Sequence, residues 1–473
     1  MAKIAFVQDI WSEYLGVMYL SAVLKKAGHE CCAILGKDDE IIKRLQDINP
    51  DVIAFSSMTL QHEWVCEMAK KIRKKDISSK ILIGGPHTTF FPEDMINKKG
   101  VDAICIGEGE DAILEYVNAI ANGTDETQIK NLWIKKNGKI FKNEMRPLVE
   151  ELDSIPFPDR KLYMEFPYFK KKQFTVFITS RGCPYRCSFC FNHAFQKAMQ
   201  GKGRFVRFRN PDKVIEEIKQ AHKICPIKTV MFIDSTFNLN KKWMIEFLRK
   251  YKEEIDLPFS CNVRADLVDE DVVKAIANTG NCVNIRFAIE TGDEKLRNEL
   301  LQKQITDDQI MKAVALFKKY KVPLVVFNMF GLPGETLEQA WKTIKMNRKI
   351  NPLVTSNYVF APLPGLEITD LALSRGYMTK NDLEKLSRSP YKIHRSVLKQ
   401  KQIKEVENLQ KFSVLAVRFP WMTPLIKVLI KLPRSKIFDM VYNFTQVIEW
   451  RRWMNVSYGR LIMEILKNYS KFG

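Results

Sequence analysis

The chain has 473 residues, 46% hydrophobic and 27% charged, the balance of a soluble globular protein long enough for two or three domains. Its net charge of +20 is unevenly spread: from Tyr391 to the end, 16 Lys and Arg face 5 Asp and Glu. No stretch of 18 apolar residues occurs and no signal-type segment precedes the first strand, so neither a membrane span nor a secretory leader is expected.

Residues 1–130 alternate strand and helix in the manner of a doubly wound α/β domain. Lys3–Val7 reads as a strand. Leu15, Met18, Tyr19, Ala22 and Val23 then follow helical periodicity, with Lys25, Lys26 and Gly28 as the stop. Val52–Ser56, Lys80–Gly84 and Asp102–Gly107 read as further buried strands. Ligands of such sheets bind at the carboxyl ends of strands. That directs attention to Ser56, Ser57, Met58 and Thr59; to Gly84, Gly85, Pro86 and His87; and to Gly107, Glu108, Gly109 and Glu110. Residues 131–172, with KKNGKI and ELDSIPFPDR, read as a surface connector.

A second α/β series fits residues 173–376, with room for about six strand–helix units. Its first strand, FTVFITS, runs into TSRGCPYRCSFCFN, where Cys183, Cys187 and Cys190 are spaced C-x3-C-x2-C. A 4Fe–4S cube held by three thiolates keeps one iron open to a small molecule. A closed zinc site would want a fourth Cys or His, and His193 could fill that place, though at an unfamiliar spacing. Unliganded thiols are the third alternative. The other seven cysteines fall singly, or as the pair Cys31-Cys32, in apolar stretches. They read as reduced buried thiols of a cytosolic protein.

Polar residues stand at later strand ends. Asp234, followed by Ser235 and Thr236, suits a ligand amine or an ordinary helix cap. Arg264 could grip a carboxylate through two bonds or pair with Asp266 or Glu290. Glu290 lies inside an apolar strand, where an unpaired carboxylate is costly. Asn328 could reach a ligand edge, and Gly331 and Gly334 allow a tight turn near one. Residues 377–473 read as a basic, mainly helical domain. Leu425, Val428, Leu429 and Leu432 recur at helical spacing among Lys427, Lys431, Arg434 and Lys436. That pattern suits either a helix lying on an anionic membrane or a helical domain packed on the barrel. No nucleic-acid module is recognisable, so no nucleic acid is expected.

The cysteine loop, including the aromatic Phe189, resembles the signature of the radical S-adenosylmethionine (SAM) superfamily. PDVIAFSSMT, ILIGGPHTTFFPED and DAICIGEGE, in that order, resemble the cobalamin-binding domain that precedes the radical SAM domain in one large subfamily. The resemblance implies a Rossmann-like cobalamin domain, a partial (β/α)6 barrel and a C-terminal helical domain. It implies a 4Fe–4S cluster on the three cysteines. It also implies SAM contacts from Phe189, Asp234, Arg264, Glu290, Asn328 and Gly331, and cobalamin contacts from the three strand-end groups, Met58 excepted. Cobalamin-dependent methionine synthases carry D-x-H-x-x-G, whose His ligates cobalt; here Asp9 is followed by IWSEYLG, without a histidine. His87 is the one histidine in the contact loops.

The implied function is methylation of an unactivated carbon through a 5′-deoxyadenosyl radical and methylcobalamin, with a small-molecule or lipid substrate. A reducing donor such as flavodoxin or ferredoxin is implied as well. Oxidative cyclisation or ring rearrangement with the same cofactors is the alternative; a non-catalytic B12 or cluster sensor is a further one. The expected location is cytoplasmic, with peripheral contact at the inner membrane surface if the membrane reading holds.

Overall fold

The computed structural model describes residues 1–387, 395–454 and 459. Two sheets organise the chain. The first has the order β2-β1-β3-β4-β5-β6-β7. Its strands are β1 (Lys3–Gln8), β2 (Glu30–Leu35), β3 (Val52–Ser56), β4 (Lys80–Gly84), β5 (Ala103–Cys105), β6 (Leu132–Lys136) and β7 (Lys139–Lys142). The first five are parallel. Successive side chains of β1 enter separate cores. Ile4 and Phe6 pack with helices Leu15–Lys26 and Glu110–Asn122, whereas Ala5 and Val7 pack with Asp38–Ile48 and His62–Lys74. Both faces are thus buried, as parallel strands require, at roughly 1.5–3 kcal/mol for each large aliphatic side chain. The chain changes direction across the sheet between β1 and β3, so a crevice opens at their carboxyl ends.

The connector expected from residue 131 begins instead with a hairpin. β6 and β7 are antiparallel and extend the first sheet. Asn137 (φ 49°) and Gly138 (φ 75°) both occupy the left-handed region, the geometry that a two-residue hairpin turn demands and that Asn-Gly supplies at little cost.

The second sheet is fully parallel and follows chain order: Phe174–Phe177, Thr229–Phe232, Phe259–Val263, Cys282–Glu290, Leu324–Phe330 and Val354–Val359. Its end strands do not pair with each other, which makes it a partial (β/α)6 barrel. The five long crossover helices start on caps at Asn210, Asn240, Asp269, Thr306 and Thr336, each accepting from a backbone N–H of the first turn. Helix Ile403–Arg418 packs on helix Leu337–Ile350 and on the last strand. Helix Lys436–Met454 brings Trp453 to 6.2 Å from Phe174 and 6.3 Å from Phe327, inside the space that the open sheet leaves. Among the described residues, no helix is long and apolar enough to cross a membrane.

Candidate functional site

The loop beginning at Thr179 leaves the first strand of the second sheet and is anchored before its first cysteine. Oδ1 of Asp234, at the end of the neighbouring strand, accepts from the Thr179 N–H (2.9 Å), the Thr179 hydroxyl (2.9 Å) and the Ser180 hydroxyl (2.6 Å). Gly182 has φ 89°, and a Cβ there would stand 2.1 Å from the Phe205 carbonyl oxygen, so glycine alone fits. Cys183, Cys187 and Cys190 are free thiols, the first two buried. Burial pushes the Cys183 and Cys187 thiols up, a state that bound iron reverses by taking the thiolate.

Among the described residues, one trio of His, Cys, Asp or Glu has ligand atoms all within 4.8 Å of one another: His62, His87 and Asp94. The three loop thiols offer the soft ligands of a 4Fe–4S cluster with one iron left open. Nε2 of His193 faces Glu367 at 3.2 Å, while its Nδ1 is buried without a hydrogen-bond partner.

Beside the thiols lies a compact charged group. Glu290, at φ 64°, accepts from Lys303 Nζ at 2.7 Å, and both side chains are buried. Arg264 pairs with Asp266 at 2.8 Å and lies 3.4 Å above the Tyr185 ring of the cysteine loop. It also donates to the Lys303 carbonyl. Lys303 Nζ stands 6.0 Å from the Phe189 ring. Phe189, Arg264 and Glu290 are thus brought together by Lys303, which the sequence reading had not singled out. Asp234 Oδ2 is buried without a partner, and burial raises this carboxyl.

Asn328 requires a correction. Its Nδ2 donates to Asn357 (2.8 Å), Asn347 (3.2 Å) and Thr355 (3.3 Å), a buried network on the helix side of the sheet. The two-residue period turns Phe327 and Met329, not Asn328, to the opposite face. Gly331 (φ 76°) donates its N–H to Glu335 Oε2 at 2.5 Å, and a Cβ there would meet Ile403 at 3.2 Å. Its turn therefore lies under the C-terminal helices. Glu335 is fully buried, and burial pushes its carboxyl up to about 8.

At the carboxyl edge of the first sheet lies a largely apolar cavity of about 400 Å³. Ser56, Gly84, Gly85, Pro86, Gly107, Glu108, Gly109 and Glu110 line it together with Phe6, Leu15 and Tyr19. Ile178 and Ile233, each just past a strand of the second sheet, and Arg181 of the loop that follows the first of these strands complete the wall. Gly85 has φ 96°, and a Cβ would fall 2.8 Å from the Ser57 backbone, so this strand end passes its neighbour without a side chain.

Ser57, Thr59 and His87 are buried off that wall. The His87 ring stacks 4.0 Å from His62, and burial together with His62 pushes its pKa down to about 3. The two glutamates serve differently from expectation. Glu108 meets Arg207 (2.8 Å) and Arg181 (2.9 Å), and Glu110 meets Arg181 (2.6 Å). Burial alone would raise the Glu108 carboxyl, but the arginines outweigh it and hold it below the usual range. Glu108 thus lines the cavity with both carboxylate oxygens engaged by arginines. Glu110 Oε2 remains buried without a partner, an acceptor that an amide or hydroxyl of a cavity ligand would satisfy. Close-approach glycines, apolar walls and this acceptor fit a corrin with its nucleotide tail. Arg181 and Arg207 carried no motif and could not be found without the fold.

Residues 177–346 match the radical SAM superfamily, and residues 12–117 match the B12 binding domain. An uncharacterized methyltransferase of Pyrococcus horikoshii is 31% identical over 375 residues, 77% of this chain and 79% of the relative. The anaerobic magnesium-protoporphyrin IX monomethyl ester cyclase of Rubrivivax gelatinosus is 25% identical, over 74% of this chain and 64% of that protein. Among solved structures, the radical SAM methyltransferase TsrM of Kitasatospora setae, with cobalamin and a 4Fe–4S cluster bound, shares the fold. It has a TM-score of 0.66 and 17% identity, covering 80% of this chain and 79% of that one.

Proposed function

The chain belongs to the radical SAM enzymes that carry a B12-binding domain, and from that premise we propose that it methylates an unactivated carbon of a hydrophobic substrate. Its cofactors are a 4Fe–4S cluster, SAM and cobalamin. When bound, they supply a 5′-deoxyadenosyl radical and a transferable methyl group. One observation carries the reading: the cavity at the cobalamin-type strand ends is walled by Ile178, Arg181 and Ile233, which flank the cysteine loop and Asp234. The residues that would cradle cobalamin thus face a space whose far wall is built by the neighbours of the cysteine loop and of Asp234, a domain interface of the kind that often holds ligands.

The roles divide by chemistry. Cys183, Cys187 and Cys190 would ligate the cluster. Glu290 would accept from sugar hydroxyls, with Lys303 neutralising it until SAM arrives. Arg264, stacked against Tyr185, would take the SAM carboxylate in exchange for its ion pair with Asp266, and Asp234 Oδ2 would accept from the amine. Ser56, Gly84, Gly85, Pro86, Gly107 and Gly109 would cradle cobalamin, with Glu110 Oε2 accepting from its periphery. The apolar walls exclude water, which would otherwise quench reactive species. An electron donor such as a flavodoxin or ferredoxin is required, and the apolar, basic C-terminal region supports a lipid-like substrate met at an anionic membrane.

The test is anaerobic turnover with candidate lipids and isoprenoids. Methylation yields S-adenosylhomocysteine and 5′-deoxyadenosine together with a product heavier by one methylene unit. The similarity to the cyclase favours a second reading, oxidative cyclisation; 5′-deoxyadenosine without S-adenosylhomocysteine would establish it and remove methylation.

A further inference from the structure

Of the seventeen large apolar side chains exposed in the described residues, eight lie between Phe419 and Phe444. They include Trp421 (76% exposed), Met440 (68%), Ile437 and Phe444 (67% each) and Val428 (62%). Such a concentration on a folded chain marks an interaction surface. Its pattern is helical and inverted. Leu425, Val428 and Leu432 fall at i, i+3, i+7, as do Ile437, Met440 and Phe444, so each segment shows an apolar stripe to the outside. The inward faces are apolar as well. Ile426, Ile430 and Phe438 pack into one cluster with Phe412 of helix Ile403–Arg418. Both stripes thus belong to structure already anchored on the barrel and are not needed for its core.

Charge selects the partner. Between Phe412 and Phe438 there are five cations and no carboxylate. Arg418 and Arg434 are engaged inward with Glu449 and Glu407. Lys427, Lys431 and Lys436 are exposed beside the stripes and form no ion pair among the described residues; Lys427 Nζ stands 6.0 Å from the Trp341 ring. Apolar side chains flanked by free lysines match the interface of an anionic bilayer, where the chains enter the acyl boundary and the ammonium groups meet headgroup phosphates. A protein partner of ordinary composition would not call for that combination.

We propose that residues 419–444 form a rigid docking face that seats the folded enzyme on an anionic membrane. The proposal deepens the reading above and rests on it for the nature of the substrate, but the docking can be measured without any substrate. Reconstituted full-length enzyme is floated with phosphatidylglycerol/phosphatidylcholine vesicles and, separately, with phosphatidylcholine alone. Wild type partitions to the anionic vesicles and little to the neutral ones. Each of Lys427→Gln, Lys431→Gln and Lys436→Gln lowers partitioning roughly fivefold, and Val428→Ser with Met440→Ser abolishes it.

All variants keep the wild-type rate of reductive SAM cleavage in detergent-free buffer, which shows that they are folded. Equal partitioning to both vesicle types, none to either, or variants that float like wild type would overturn the proposal. So would a wild-type dimer that Val428→Ser/Met440→Ser turns into a monomer, since the face would then be a contact between copies. Wild type that cleaves SAM but does not float sinks the docking alone. Wild type that floats but cannot cleave SAM sinks the enzymatic reading alone.

Discussion

Glu335 shows how far a single side chain's charge can be set by its surroundings. Oε2 accepts from the Gly331 and Leu332 N–H groups, Oε1 has no partner, and burial pushes the carboxyl up to about 8 from 4.5. The folded state therefore holds this proton more tightly than the unfolded chain does. Its contribution to stability is complete below pH 4.5, declines as the pH rises from there, and is lost by about 8. Glu335→Gln keeps the acceptor and cannot ionise. Thermal unfolding of the apo-protein should show the wild-type midpoint falling between about pH 4.5 and about 8, with a flatter profile for the variant and the larger gain at the upper end. Parallel profiles would mean that Glu335 is ionised in the fold. The burden of a buried carboxylate at Glu290 was legible from its apolar neighbours. The identity of its partner was not, because Lys303 is thirteen residues away in a separate segment and only the turn of the chain brings them to 2.7 Å. Asn328 was expected at a ligand edge; the network it forms with Asn347, Thr355 and Asn357 joins separate segments and could not be read from its own strand.

Between elements, the two-residue pairing of Ser180–Arg181 with Arg207–Phe208 is the smallest sheet in the molecule, yet it sets the entry of the cysteine loop. From it, Arg181 and Arg207 reach across to Glu108 and Glu110, which sit just after β5. The four side chains are largely buried, so the pairs are worth little as net attraction but costly to break singly. Arg181→Met should strand Glu110 and destabilise by about 3–5 kcal/mol, whereas Arg181→Met with Glu110→Gln should recover much of that. A denaturant titration of wild type, both single variants and the double variant measures the coupling; additive losses would show that the clamp is solvated. Nothing in GEGE or TSRG announces this contact, because it joins loops of different domains. The hairpin is a different case. LWIKKNGKIFK places short apolar stretches on either side of Asn-Gly, a local hairpin signal that the turn-rich character of KKNGKI and ELDSIPFPDR made read as a connector.

At the scale of the whole molecule, the cores are separate. One cluster lies under the second sheet, and two lie on opposite faces of the first. What joins the domains at the candidate site is a set of polar contacts and a shared cavity wall. The succession of two α/β series was legible because each strand is a short apolar stretch ending in small or polar residues. Their relative placement was not, since it depends on pairings between distant loops. This architecture has a consequence for cofactor loading. The part of the cavity wall formed by Ile178, Arg181 and Ile233 is tied down by Asp234 at Thr179 and Ser180 and by Glu108 and Glu110 at Arg181, bonds that use none of the three loop cysteines. Removing the three sulfurs should therefore leave that wall standing. A Cys183/Cys187/Cys190→Ala variant, reconstituted anaerobically beside wild type, should retain about one cobalamin per chain while losing the roughly four irons that wild type takes up. Cobalamin lost together with iron would mean that the cluster, and not the glutamate–arginine clamp, holds the wall in place, and the two cofactor sites would then assemble as one.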